Sequence, residues 1–222
     1  MDTNTDLRLA RLLQLASPAL PVGAFSYSQG LEAAIEAGIV RDAHSAAAWI
    51  GGMLEHSVGA FEAPVLLRLQ QAWADDDAPA VGRWNAQFLA SRETAELRAE
   101  TVQMGYSLAR LLGDLDAPIH ALEEIAFPTA FARASAHWGI DPQAALLAYL
   151  WSWLENQVMA AVKAVPLGQT DGQRILFELA QRLPPIGQRA QALDEQAFSN
   201  FAPGLALLSA RHETQYSRMF RS

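Results

Sequence analysis

The hydrophobic positions of this chain recur mostly at spacings of three and four residues. A clear example follows Gly59, where four apolar residues form one stripe: Val65, Leu66, Leu69 and Trp73. This period is typical of an amphipathic α-helix with one buried face. No stretch shows the alternating Val, Ile and Thr pattern of a β-strand. The pattern therefore predicts an all-α protein over residues 1–222, folded as a single-domain bundle of roughly eight to ten helices.

Proline and capping residues divide the chain into these helices. The first helix is predicted to stop at Ser17-Pro18, because the residue before a proline disfavours the helical conformation. Asp42 is expected to cap a later helix. Asp141-Pro142 is expected to start the longest apolar helix, which runs to about Val165. Pro184-Pro185 is interpreted as a break. Other predicted helices cover residues 79–89, 93–112, 171–183 and 198–210.

The segment between the first two helices is rich in turn residues. Pro21, Gly23, Phe25 and Gly30 are assigned to this structural turn. Its two aromatic residues, Phe25 and Tyr27, can either pack against the core or contact another protein. We expect Phe25 to fold back onto the following helix, as apolar residues before a helix cap often do. We expect Tyr27 to contact a partner.

A cluster of charged residues opens the predicted helix 93–112. Glu93, Glu96, Arg98 and Glu100 are expected to lie on a solvated face, with ion pairs inside the helix that include Arg92. A docking face for a partner is the alternative interpretation of residues 91–98.

Composition and charge exclude several classes of protein. The chain has 24 acidic and 16 basic residues, a net charge of −8 that repels phosphate backbones, so nucleic acid is not expected as a partner. It has no cysteine, which excludes disulfides, thiolate zinc sites and cysteine nucleophiles. The first six residues do not resemble a signal peptide, and no apolar run is long enough to span a membrane. We therefore expect a soluble cytoplasmic protein with protein partners and no membrane partner.

No pattern of catalytic or metal-binding residues is present. The five histidines are never four apart on one helix, which predicts no preformed metal site: His44, His56, His120, His137 and His212. Ser26 stands where a Gly-x-Ser-x-Gly nucleophile motif around Ser28 would need glycine, and no phosphate-binding loop is found. The sequence thus predicts no catalytic residue, no metal ligand and no cofactor of its own. A small helical enzyme remains only as an alternative without a nameable nucleophile and base.

The last eleven residues, 212–222, form a polar, basic and aromatic tail. A segment with so few apolar residues is expected to stay flexible until a partner covers it. Aromatic and arginine residues also dominate the energetics of many interfaces. The alternatives are an ordinary disordered terminus or a last helical turn folded back on the core.

Lys163 is the only lysine among sixteen basic residues. It lies at the end of the most apolar predicted helix, where a cation complements the helix dipole. A codon preference for arginine is one explanation of its isolation. The other is that a compact ammonium group is needed there.

Four blocks of the sequence resemble the UreF family of urease accessory proteins. The two most specific are Leu-Pro-Val-Gly at 20–23 within block 15–32, and His-Glu-Thr-Gln-Tyr-Ser-Arg at the start of block 212–222; the others are 91–98 and 158–169. Ala24 stands where many relatives have a second glycine. The resemblance covers nearly the whole chain. It implies an all-helical dimeric scaffold that binds the accessory protein UreD (also UreH) and the GTPase UreG, and that promotes nickel delivery to apo-urease.

The resemblance also implies roles for individual residues. Tail residues match family positions that become ordered against UreD, and Lys163 lies in a segment near the face offered to the GTPase. The expected partner-binding residues are Tyr27, Lys163, Gln169, His212, Glu213, Tyr216, Arg218, Phe220 and Arg221. Nickel and GTP are expected to be handled by the partners. The alternative function is a metallochaperone that holds nickel itself.

Overall fold

The computed structural model describes residues 3–119 and 122–222, and within these ranges it contains helices and no β-strand. This confirms the predicted all-α class. The α-helices of the described residues are α1 (Thr3–Ala16), α2 (Leu31–Glu36), α3 (Ala43–Met53), α4 (Ala63–Ala74), α5 (Ala78–Ala90), α6 (Ala95–Asp114), α7 (Phe127–His137), α8 (Pro142–Ala164), α9 (Gln169–Ala180), α10 (Leu183–Ala192) and α11 (Pro203–His212).

A π-helix, Leu54–Glu62, joins α3 to α4 without a break. The eleven α-helical segments in the described ranges therefore make ten continuous helices, within the predicted number. Gly59 lies in the π-helix, and a Cβ atom there would lie 2.7 Å from the carbonyl oxygen of Leu54. Only glycine fits this close approach. Glu62, the last residue of the π-helix, is buried.

Helix α8 is the centre of the bundle, as its apolar circumference predicts. It packs against helices from both halves of the chain, including α1, α4, α9 and α10. Its fully buried residues include Leu146, Leu150, Leu154 and Val158. The Asp141 side chain accepts a hydrogen bond from the backbone N–H of the third residue of the helix, which caps it as predicted.

The other boundaries follow local signals with two exceptions. Helix α1 ends directly before Ser17-Pro18, and Asp42 forms a capping box with Ser45. The predicted break at Pro184-Pro185 was wrong, because both prolines lie in the first turn of α10. A first-turn proline costs little, since N–H groups there have no partner within the helix. Helix α11 begins at Pro203 rather than at residue 198.

None of the helices in the described residues combines the length and the apolar character needed to cross a membrane.

Candidate functional site

Three of the four sequence blocks converge on one site, although they lie far apart in the chain. We call this site the motif junction and define it by residues 26–32, 92–100 and 212–222. The fourth block reaches its edge through Lys163, whose Nζ lies 5.9 Å from the centroid of the Phe25 ring. This distance allows a cation–π interaction.

The tail is folded against the body of the protein. The backbone N–H of Ser28 donates to the carbonyl oxygen of Ser222 at 2.9 Å, and the N–H of Arg221 donates to the carbonyl oxygen of Ser26 at 2.8 Å. The Phe220 side chain is buried. The expected frayed tail is therefore not observed. Backbone and side-chain hydrogen bonds hold the tail, which a count of its apolar residues could not predict.

Glu32, in the first turn of α2, holds the tail from one side. Its carboxylate accepts hydrogen bonds from the backbone N–H groups of Met219 at 2.7 Å and Phe220 at 2.9 Å. The same carboxylate lies 3.2 Å from Nε2 of His212. One acidic side chain thus fixes both the start and the end of the tail.

Glu96, in the first turn of α6, holds the tail from the other side. Its carboxylate lies 2.7 Å from Nδ1 of His212 and accepts a hydrogen bond from Arg218 at 2.5 Å. His212 has no solvent-exposed surface and lies between Glu32 and Glu96. A neutral imidazole can donate to only one of these carboxylates, whereas the imidazolium can donate to both.

Glu213 contributes a further contact at the start of α6. Its carboxylate accepts hydrogen bonds from the backbone N–H groups of Ala95 at 2.9 Å and Glu96 at 3.3 Å. These N–H groups have no partner within the helix, and the helix dipole favours a negative charge there. Each of these contacts joins the tail to a position more than 100 residues earlier in the chain.

The expected ion pairs within helix 93–112 were wrong, because Arg92 precedes the helix. Thr94 caps α6, so the helix begins only at Ala95. Arg92 instead reaches Glu62 across the core, at 2.7 Å. Arg98 pairs with Glu124, which lies in the segment before α7, at 2.6 Å.

A cleft of about 250 Å³ opens beside the motif junction. Its walls include the apolar residues Leu15, Leu20, Phe88 and Met104, and its mouth includes Phe25, Met159 and Lys163. Its polar lining residues include Glu62, Arg92, Glu100 and Tyr149. Glu62 accepts hydrogen bonds from Arg92 and, at 2.7 Å, from the Tyr149 hydroxyl, so both of its carboxylate oxygens have a partner.

Glu100 is only 4% exposed, which corrects its predicted place on a solvated face. Its carboxylate accepts hydrogen bonds from Gln29 Nε2 at 2.6 Å and from Ser222 Oγ at 2.7 Å. Burial raises the pKa of Glu100 to about 7, against the lowering effect of these two hydrogen bonds. Among the described residues, no cation lies within ion-pair distance of this carboxylate.

A sequence signal for Glu100 does exist. Leu97, Thr101, Met104 and Leu108 follow one another at spacings of three and four, and all are buried. Glu100 lies three residues after Leu97 and four before Met104, so it belongs to this stripe. An acidic residue on an apolar stripe indicates a buried carboxylate.

The burial of the two aromatic residues of the turn is the reverse of what was expected. Phe25 is 67% exposed and lies at the mouth of the cleft, whereas Tyr27 is 5% exposed. Burial, with a smaller effect from Glu100, raises the pKa of Tyr27. Gly23 and Gly30 have φ angles of +78° and +77°, which glycine adopts readily, so the short 3₁₀ turn between them directs Phe25 outward.

The remaining candidate residues differ in how accessible they are. Tyr216, Arg218 and Arg221 are exposed on the docked tail, whereas His212 and Phe220 are its buried anchors. Pro21 is exposed at the start of the turn. Gln169 is the first residue of α9 and is exposed, and it does not line the cleft.

In the described part of the chain, no group of three or more His, Asp or Glu side chains has an arrangement that could hold a metal ion. His120 lies outside the described residues.

Comparisons with known proteins agree with the family resemblance of the four sequence blocks. The family model described as UreF matches residues 40–180. The urease accessory protein UreF of Azoarcus sp. (strain BH72) is 60% identical, over 97% of this chain and 96% of its own length. The UreF proteins of Dechloromonas aromatica (strain RCB) and Alkalilimnicola ehrlichii (strain ATCC BAA-1101) are 56% and 50% identical, and each alignment covers at least 98% of both chains. The chain belongs to the UreF family of urease accessory proteins.

Proposed function

We propose that this protein is a scaffold that joins the UreD (UreH) accessory protein to the GTPase UreG and promotes GTP-dependent nickel incorporation into apo-urease. The main support is the motif junction, where hydrogen bonds join sequence blocks that lie far apart in the chain. These bonds hold the exposed residues of the tail in fixed positions. A surface held in this way loses little conformational entropy when a partner binds.

The docked tail is the proposed binding surface for UreD. Its buried residues, His212 and Phe220, hold the segment in place, while Tyr216, Arg218 and Arg221 face solvent. Aromatic and arginine side chains concentrate binding energy at protein interfaces. The tail therefore presents an aromatic and cationic surface without needing to fold on binding.

The edge of the junction near Lys163 is proposed to contact the GTPase. Lys163 is exposed at the last turn of α8 and lies beside the exposed Phe25 ring. Gln169 begins the next helix and is also exposed. A mobile ammonium next to an aromatic ring can exchange its intramolecular contact for one with a partner.

The protein is proposed to have no catalytic activity and no cofactor of its own. The urease accessory role fits a protein that acts through binding, with nickel and GTP held by its partners. We further propose a cytoplasmic homodimer. Leu9 and Leu13 lie four residues apart on one face of α1, and each is more than half exposed, so they offer an apolar patch for such a dimer.

The first test is urease maturation in cells that express the full accessory set, with and without this protein. Nickel content of purified urease should fall to the background level without it and recover when it is expressed again. Unchanged nickel loading would refute the proposed function. Tight stoichiometric binding of nickel by the isolated protein would instead support the alternative, a metallochaperone.

The second test assigns the tail surface. Tyr216→Ala should weaken UreD binding by at least about tenfold while leaving thermal stability unchanged, because its side chain is fully exposed. Tyr106→Ala, which removes an exposed aromatic residue of α6, is the matched control and should leave binding unchanged. Equal effects of the two variants would contradict the assignment. Lys163→Ala should preserve the fold and UreD binding but alter urease activation.

A further inference from the structure

The cleft holds a buried acid without a balancing cation. The titratable groups that face Glu100 come from several elements: Glu62 from the π-helix, Arg92 from the segment before α6, Tyr149 from α8 and Tyr27 from the turn. Glu62 and Arg92 form an ion pair and balance each other. At the mouth of the cleft, Glu155 and Lys163 carry opposite charges. Glu100 is therefore the unbalanced acid of the cleft.

The size and lining of the cleft limit what can enter. Its volume of about 250 Å³ lies below the range of about 300–1,000 Å³ that is typical of small-molecule sites. Leu15, Phe88 and Met104 make its walls apolar, whereas Glu100 offers a hydrogen-bond acceptor. A long side chain with an apolar stem and a cationic end matches both features.

We propose that this cleft receives one arginine side chain of a partner protein, whose guanidinium group pairs with Glu100 and whose aliphatic stem packs against the apolar walls. A guanidinium group suits this site because it is weakly hydrated and can stack on aromatic rings, as Arg92 does over Phe88 at 4.3 Å. The proposal goes beyond the scaffold function, since it identifies a specific side-chain receptor and its test requires no urease component.

Binding of the arginine is expected to be linked to release of a proton. The guanidinium pairs with the ionised carboxylate, and burial keeps the pKa of Glu100 at about 7 in the free protein. About half of the carboxyl groups are therefore protonated at pH 7. The ionised fraction rises from about one tenth at pH 6 to about nine tenths at pH 8, so the affinity should rise about tenfold over this range.

The test uses the full chain and the capped amino acid N-acetyl-arginine methylamide as the probe. Methionine methyl groups labelled with ¹³C report on its location, because Met104 and Met159 line the cleft whereas Met219 lies on the tail. We expect the probe to shift the NMR signals of Met104 and Met159 but not that of Met219, with about tenfold tighter binding at pH 8 than at pH 6. The corresponding citrulline compound, an uncharged isostere, should cause no shift.

Two variants show whether Glu100 is the receptor. Glu100→Gln should weaken binding of the arginine probe at least tenfold at pH 8 and abolish the pH dependence. Glu36→Gln, which changes an exposed carboxylate of α2, should bind as the parent protein does. Calorimetry of the parent protein in two buffers of different ionisation enthalpy should also detect about half a proton released per probe at pH 7.

Three outcomes would overturn the proposal. If the citrulline compound shifts the same methyl groups equally, the cleft binds apolar groups without regard to charge. Glu100 is not the receptor if affinity for the arginine compound does not change between pH 6 and pH 8. No arginine is received if the probe leaves Met104 and Met159 unshifted.

Discussion

Replacing Glu100 by glutamine should stabilise the protein, and increasingly so as the pH rises. Glutamine has nearly the same shape as the protonated acid that burial favours. Its carbonyl oxygen can accept from Gln29, and its amide can donate to the Ser222 hydroxyl, so both hydrogen bonds at this position can be kept. The variant therefore removes the cost of burying a negative charge while preserving the packing.

The pH dependence follows from the raised pKa of Glu100, about 7 in the folded protein against an ordinary value of 4.5. Below about pH 4.5 the group is protonated in both the folded and the unfolded states and costs nothing. As the pH rises from 4.5 to 7, the unfolded state ionises first, so the folded state loses relative stability. Above pH 7 the loss is complete and amounts to about 3 kcal/mol. Between pH 5.5 and pH 8 the change is about 2 kcal/mol.

Urea denaturation followed by tryptophan fluorescence and circular dichroism can measure this effect. The free energy of unfolding of Glu100→Gln should exceed that of the parent protein, and this difference should increase by about 2 kcal/mol between pH 5.5 and pH 8. Glu36→Gln is the control for loss of one exposed negative charge and should show no such change. A constant difference across this pH range would refute the reasoning, because it would mean that Glu100 ionises in the folded protein as it does in water.

Three further predictions concern packing and the tail. Gly105→Ala should destabilise the protein by more than about 2 kcal/mol, because its Cβ would lie 2.0 Å from a backbone carbonyl oxygen. Gly113→Ala on the same helix meets open space and should stabilise the protein by up to about 1 kcal/mol. Similar unfolding free energies for the two variants would be inconsistent with this packing. Arg92→Met should lower the free energy of unfolding by about 3–5 kcal/mol, because it leaves Glu62 buried without a cation. Adding Glu62→Gln should restore part of this stability. A double variant no more stable than the single one would argue against the buried pair. His212→Ala should increase the hydrogen-exchange rate of the tail amides at least tenfold, because it removes the side chain that contacts both Glu32 and Glu96. An unchanged exchange rate would show that other contacts hold the tail.

Much of the secondary structure could be predicted because it depends on local signals. The proline after Ser17, the Asp42 cap and the Asp141-Pro142 start each act on residues within one helical turn, and all three mark observed boundaries. Pro184-Pro185 was misinterpreted for a related reason. Proline disrupts a helix interior but fits its first turn, and the sequence does not by itself show which position a proline occupies.

The candidate site was only partly predictable. The sequence blocks indicated which segments matter, and the comparisons established the family. Their mutual contacts were not predicted, since the pairs His212–Glu96 and Arg92–Glu62 join residues 116 and 30 positions apart. The exposure of Phe25 likewise depends on the direction of a turn set by two glycines with positive φ angles.

By itself, the sequence determined the helical class, most helix boundaries, the absence of cysteine chemistry and the membership of the UreF family. These properties depend on periodicity, on capping within a few residues and on composition. Only the tertiary structure decided that the tail is docked, that Glu100 is buried without a cation and that Arg92 forms an ion pair with Glu62. The physical reason is that burial and charge pairing depend on which distant segments meet, and a carboxylate on a helix has the same local pattern whether its neighbour is water or another helix.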